Sequence, residues 1–259
     1  MKVHLYTILW NEEDMLGFFF RHYDRVVDRY FVYDNGSTDR TPEILASRSN
    51  VEVRPFLFSH PDSYVLSARM LHDSMWKESR GQADWVIVTA VDELLYHPLG
   101  LWLYLRLAKW RGTTAAPALA YQIITDTFPA SHDDLARQHH LGAPLDDYNK
   151  LSVFNPDAIE ETRYAVGRHS AMPKGHVRYP ERDRLLLFHY KFLGMDYLSR
   201  RYALLRTALG SADRTQNYGF QYHADRAALQ AEFDRVRAEA VDAIGAPARE
   251  LPRQRWWRD

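Results

Sequence analysis

The chain has no cysteine, which excludes a disulfide framework, a thiolate zinc site and a cysteine nucleophile. It has no run of about 18 apolar residues that would span a membrane. Residues 1–6 lack the basic and then apolar pattern of a signal peptide, so a soluble, cytoplasmic protein is the expectation. A charge excess is missing as well: 33 basic groups stand against 34 acidic ones, for a formal net charge of -1. Without a long-range positive field, a nucleic-acid partner is not expected. No internal repeat and no low-complexity linker divides the 259 residues, which reads as one sizeable globular domain.

Between residues 3 and 91, short apolar β-rich runs alternate with amphipathic stretches, the pattern of βαβ units on a parallel sheet. Strands are expected at 3–9, 30–33, 51–56 and 85–91, and helices over 12–27 and 64–78. Thr41-Pro42-Glu43 offers a cap, a proline at the first helical position and an acid in the first turn. Further on, the pattern predicts a helix at 99–109, a strand at 115–125, a long loop over 126–148 and small irregular strands over 151–189. Helices at 194–209 and 224–244 close the chain. The fold class is therefore α/β, with a mostly parallel central sheet flanked by helices and a C-terminal helical segment.

Three of these strands run directly into polar clusters: Asn11-Glu12-Glu13, Asp34 to Asp39, and Asp92-Glu93. In open α/β sheets ligands bind beyond the carboxyl ends of the strands, so the clusters are expected to converge on one crevice. Asp92 and Glu93, at the end of a buried strand, offer hard oxygen ligands for Mg or Mn, unless they merely begin the next loop. Asp39 is divided between the crevice and a cap on the helix near Thr41. Arg69 and Asp73 stand at i and i+4, which suits an ion pair on a helix face. His132, His139 and His140 match no zinc spacing. Asn11-Glu12-Glu13 is not the glycine-rich loop that a nucleotidyltransferase would carry after its first strand. At the far end, Arg253, Arg255, Trp256, Trp257 and Arg258 mix cations with indoles. A peripheral membrane contact is one reading of that tail, and packing on its own domain is the other.

Thr7-Ile8-Leu9-Trp10-Asn11-Glu12-Glu13, Tyr33-Asp34-Asn35-Gly36-Ser37-Thr38-Asp39 and the stretch from Asp84 to Glu93 resemble the ordered motifs of glycosyltransferase family 2, in its bacterial branch. Tyr148-Asn149-Lys150, Gly167-Arg168-His169 and His189-Tyr190-Lys191 also look like that branch. The resemblance implies a GT-A (Rossmann-like) fold and an inverting, metal-assisted transfer of a sugar from a nucleoside-diphosphate donor to an unidentified acceptor. It implies a nucleotide-sugar-binding half at 1–97, an acceptor-side half at 98–192 and C-terminal helices at 193–259. Asn11, Glu12 and Asp34 would then lie around base and ribose, and Asp92 would meet the metal (Mn or Mg) and the diphosphate. Arg69, on a helix beside the donor pocket, is a second candidate for the diphosphate.

Ala90 stands where that family carries the first Asp of its Asp-x-Asp, so one carboxylate of the triplet is missing. A protein that binds nucleotide sugar or glycan without turnover is accordingly the alternative. His189 is the candidate for a further metal or diphosphate ligand, with His169 behind it, and Lys191 is a candidate for a phosphate contact. An inverting transfer needs a carboxylate base. Asp126, after the 115–125 strand and before the long loop, is the first choice, with Asp146 and Asp147 behind it.

Overall fold

The computed structural model describes residues 1–246 and 255–258. Strands β1 (Val3–Leu9), β2 (Arg29–Asp34), β3 (Val51–Pro55) and β4 (Trp85–Val88) alternate with helices α1 (Glu13–Tyr23), α2 (Thr41–Ala46) and α3 (Tyr64–Ser74). β4 is buried at every position, as its unbroken apolar run requires of a strand covered on both faces. α1 places Glu13 and Asp14 in its first turn and buries Met15, Leu16, Phe18, Phe19, Phe20 and Tyr23; acids at the N-terminus complement the helix dipole. The chain continues through β5 (Glu93–Tyr96), α4 (Leu101–Trp110), β6 (Ala115–Thr125), α5 (Leu135–Gln138), β7 (Leu141–Pro144), β8 (Lys150–Phe154), β9 (Ile159–Glu161), β10 (Lys174–Gly175) and β11 (Leu186–Leu193). It closes with α6 (Met195–Ala208), α7 (Ser211–Thr215), α8 (Arg226–Glu239) and β12 (Val241–Asp242).

The main sheet runs β12-β7-β6-β8-β4-β1-β2-β3, with β11 paired to both β5 and β6. β3, β2, β1 and β4 are parallel, and β8 enters antiparallel between β4 and β6. β6 and β11 restore the direction of β1, so only β5, β7 and β8 run against it. This is the mixed, mostly parallel α/β sheet that the strand and helix alternation predicts. Several boundaries differ from the sequence reading: α1 ends at Tyr23 rather than Val27, and α3 at Ser74 rather than Glu78. β4 stops at Val88 because the next turn folds back on Glu93, and the last helix stops at Glu239 because Val241–Asp242 pairs with β7. The long loop holds α5, β7 and a 3-10 turn at Asp146–Tyr148.

Two polar clamps fix the C-terminal helices to the end of β1 and the start of α3. Arg201 on α6 donates to the carbonyls of Trp10 (3.2 Å) and Asn11 (2.9 Å) and pairs with Glu12. Asp213 on α7 is fully buried and accepts from Ser63 Oγ (2.5 Å), Tyr64 N (2.9 Å) and Gly210 N (3.1 Å). It thereby caps α3 from across the fold, where a carboxylate suits the helix dipole.

The tail corrects the membrane reading. Trp257 is 7% exposed, and its indole donates to Asp183, which Arg255 and Arg258 also reach. The Trp256 indole donates to the Asn149 carbonyl at 2.9 Å. These rings pack on their own domain, and Arg253 lies outside the described residues. Among the described residues no helix is long and apolar enough to cross a membrane.

Asp213→Ala leaves a helix N-terminus and a buried hydroxyl without their acceptor. It should cost about 2–4 kcal/mol, measured by urea unfolding, by loss of a cap and of charge-assisted hydrogen bonds.

Candidate active site

The ends of β1 and β4 and the turn after β2 meet at one cleft of about 650 Å³, lined by Trp10, Glu12, Asn35, Ala90, Asp92 and Glu93 among others. β6, β8 and β11 add Gln122, Lys150, His189 and Lys191, and the C-terminal segment adds Arg201, Tyr202 and Tyr222. The polar clusters therefore converge as sheet topology requires. Their members do different work.

Glu93 is not an exposed metal ligand. It opens β5, is 2% exposed, and accepts from Lys150 Nζ at 2.5 Å and Arg168 Nη2 at 2.6 Å. It also accepts from the Ala90 backbone N–H at 3.0 Å. Arg168 reaches on to the Val88 carbonyl at 2.7 Å. Burial opposes the charge on Glu93, but the two cations outweigh it and hold the carboxyl well below the usual range. Burial pulls the Lys150 ammonium below its ordinary value, against the attraction of Glu93.

This triad fixes the turn from Thr89 to Asp92 and frees Asp92 for the cleft. The Asp92 carbonyl accepts from Tyr190 N at 2.7 Å, and its Oδ2 lies 3.4 Å from His189 Nε2. Burial lifts the Asp92 carboxyl, but the combined attraction of His189 and Lys191 outweighs it and the group falls to about 2. Gln122 settles the imidazole. Its amide nitrogen donates to the His189 carbonyl at 2.9 Å, so its oxygen faces Nδ1 at 2.7 Å and must accept from it. Nδ1 therefore carries a proton in either charge state of the ring, and Nε2 is directed at Asp92.

Glu12 lines the cleft at 7% exposure. Burial raises its carboxyl to about 8, against the neighbouring Arg201 guanidinium. Asn11 and Asp34 are not among the cleft-lining residues. Asn11, at φ 52, accepts from Thr38 N at 2.7 Å, and Asp34 accepts from Ser37 N at 3.0 Å. Both shape the turn beside the cleft. Asp39 is a cap, accepting from Thr41 N at 2.9 Å and Glu13 N at 3.1 Å.

The helix-face ion pair is also corrected. Asp73 accepts from Thr162 Oγ1 (2.8 Å) and Tyr164 N (2.9 Å), which leaves Arg69 on the cleft wall. Lys191 is buried, its ammonium 5.5 Å from the Tyr202 ring and 5.2 Å from the Tyr222 ring. His139 and His140 bind Asp133 and Asp242 rather than a common ion.

Asp126 needs a larger correction. Its side chain is 82% exposed, pairs with Arg237 and lies outside the cleft lining. Asp147, in the turn after β7, does line the cleft. His169 lies there too, its ring centroid 4.4 Å from that of Tyr148, and burial lowers its imidazole to about 3. Gly167, at φ +68, allows this approach: a Cβ there would stand 2.3 Å from His169 Nε2.

Sequence reasoning missed Gln122, Lys150, Arg168 and Arg201 as parts of the site. Lys150 and Arg168 did lie inside resemblance motifs. Arg201, one of several arginines on a helix, gave no signal.

No family model matches the chain, and no curated protein matches it. Among solved structures it is similar to a 4-diphosphocytidyl-2C-methyl-D-erythritol synthase, at 15% identity over 61% of this chain and 77% of that one, TM-score 0.32. The enzyme of that name from Anaerococcus prevotii DSM 20548 gives 13% identity over 79% and 98%, TM-score 0.34. HddC from Yersinia pseudotuberculosis gives 10% over 74% and 79%, TM-score 0.28. Likeness at this level bears on neither substrate nor reaction.

Glu93→Gln keeps the shape but leaves Lys150 and Arg168 buried without a counter-charge. A loss of about 3–5 kcal/mol is expected in equilibrium unfolding. A loss under about 1 kcal/mol, the range of an exposed pair, would show the triad to be solvated.

Proposed function

We propose that the chain is an inverting glycosyltransferase of the GT-A type, which transfers a sugar from a nucleoside-diphosphate donor with the help of a divalent cation. The observation that carries this reading is the Asp92 and His189 pair, 3.4 Å apart in a cleft built from the carboxyl ends of parallel strands. Arg69 and Lys191 stand on the same cleft. Together these groups supply the positive charge and ligand atoms that a diphosphate leaving group needs.

The pair fits a cation. One carboxylate oxygen and one imidazole nitrogen face each other, with the other ring nitrogen held by Gln122 in the manner of an outer-shell partner. A nitrogen ligand favours Mn over Mg. Among the described residues no group of three or more His, Cys, Asp or Glu side chains forms a metal site, so the remaining positions would fall to diphosphate oxygens and water. When bound, the cation would offset charge on the leaving diphosphate. Arg69 and Lys191 orient the phosphates, Asn35 and Trp10 flank the nucleoside, and Asp147 accepts the proton of the acceptor hydroxyl.

A binder without turnover is the second reading, favoured by two observations. Ala90 lines the cleft without a carboxylate, and Glu93 is committed to its two cations. Donor hydrolysis in the presence of Mn separates the two.

With UDP-, GDP- or dTDP-sugars at about 100 times the dissociation constant, the fold should gain roughly 2.7 kcal/mol. Mn or Mg should be required, and Asp92→Asn should abolish the gain. A thermal shift indifferent to both EDTA and Asp92→Asn would overturn the metal bridge. On the acceptor side, Asp147→Asn should retain donor affinity while turnover falls by roughly 10²- to 10⁴-fold. Asp126→Asn should leave turnover unchanged, and the reverse result would return the base to Asp126.

A further inference from the structure

We propose that the outer face of α4 docks the protein on an anionic membrane surface. The helix buries Leu101, Tyr104, Leu105 and Ala108. Its other face carries Trp102, Leu103, Arg106, Lys109 and Trp110, with Trp110 82% exposed and Trp102 45%. Leu99, just before the helix, is 55% exposed. Trp102, Arg106, Lys109 and Trp110 are contiguous, because with Met1 they line one shallow groove. An exposed patch of large apolar side chains marks an interaction surface.

Its charge selects the partner. The residues lining the groove include two cationic side chains and no acidic one, and Lys2 and Arg111 are exposed beside it. Asp84 touches the patch and is engaged by Lys109 and by the Met1 ammonium. An anionic surface complements this set.

The kind of side chain favours lipid over an acidic protein. Indoles and long cationic stems are the groups that settle at a membrane interface, the rings at headgroup level and the charges reaching for phosphate. The Arg106 guanidinium lies 4.8 Å from the Trp102 ring, so aromatic and cation already form one unit. The patch surrounds Met1 and Asp84, just before β1 and β4. These strands are parallel, so their starts lie at the sheet edge opposite the cleft at their carboxyl ends. Docking here leaves the cleft open to water. Residues in this patch belong to no part of the site described above.

The test is flotation of the full chain with phosphatidylcholine vesicles, with and without phosphatidylglycerol. Binding is expected only to the vesicles that contain phosphatidylglycerol and should disappear in about 0.5 M salt, where the screening length falls to a few ångströms. The double substitution Trp102→Ala and Trp110→Ala should abolish it. Arg106→Gln with Arg111→Gln should weaken it on the order of 30-fold, from the contribution of each cation near a charged surface. Trp110→Ala alone, at a ring almost wholly in solvent, keeps the test valid should the double variant lose its thermal transition. Three results would overturn the proposal: no binding to anionic vesicles, binding indifferent to Trp110→Ala, or a preference for polyglutamate over vesicles.

Discussion

The carboxylate of Glu93 is held by two cations, and the site is built around that contact. Lys150 comes from β8, Arg168 from the turn at Val166–Arg168, and the Arg168 guanidinium continues to the last carbonyl of β4. Charges withdrawn from water in this way add little net stability, because desolvation consumes most of the Coulombic gain. Their effect is to penalise every arrangement that lacks one partner. With Glu93 fixed inward, the preceding residue faces outward, and Asp92 meets His189 across the turn. The spacing of one residue between an inward and an outward carboxylate follows from the alternation of side chains entering a strand.

Much of the frame was legible in the sequence because it rests on periodicity. Buried parallel strands announce themselves as unbroken apolar runs, and β6 begins and ends where its pattern does. The convergence of strand ends was legible for the same reason, since sheet topology places them together whatever the side chains are. The fate of individual carboxylates was not legible. Asp92 and Glu93 are adjacent and chemically alike. Which one is buried depends on Lys150 and Arg168, 57 and 75 residues away from Glu93. Asp126 illustrates the same limit: its position at a strand end was read correctly, but its direction is set by Arg237 on α8.

The C-terminal segment shows a different kind of gap. Its helices were visible as amphipathic stretches, yet nothing in them marked Arg201, Tyr202 or Tyr222 as walls of the cleft. Arg201 finds its place by satisfying the carbonyls of Trp10 and Asn11 and pairing with Glu12, where β1 ends and its backbone groups would otherwise be buried unpaired. The tail was open to two readings because indoles and arginines suit a lipid surface and a packed surface alike. Asp183, buried and acidic, decides between them in the fold.

The insertion of β8 between β4 and β6 also bears on how the protein is made. The parallel quartet from β3 to β4 is complete once residue 88 has left the ribosome, but the outer edge of β4 stays unpaired until β8 arrives at Lys150–Phe154. Over the same interval Glu93 has neither of its cations. Long-range closures of this kind are slow, and an apolar strand edge left open is a template for pairing with another chain. A nascent chain halted between β4 and β8 would therefore present both an open edge and an uncompensated charge. Chaperone demand during synthesis should concentrate on that stretch, and nonsense mutations there should yield aggregates rather than soluble fragments.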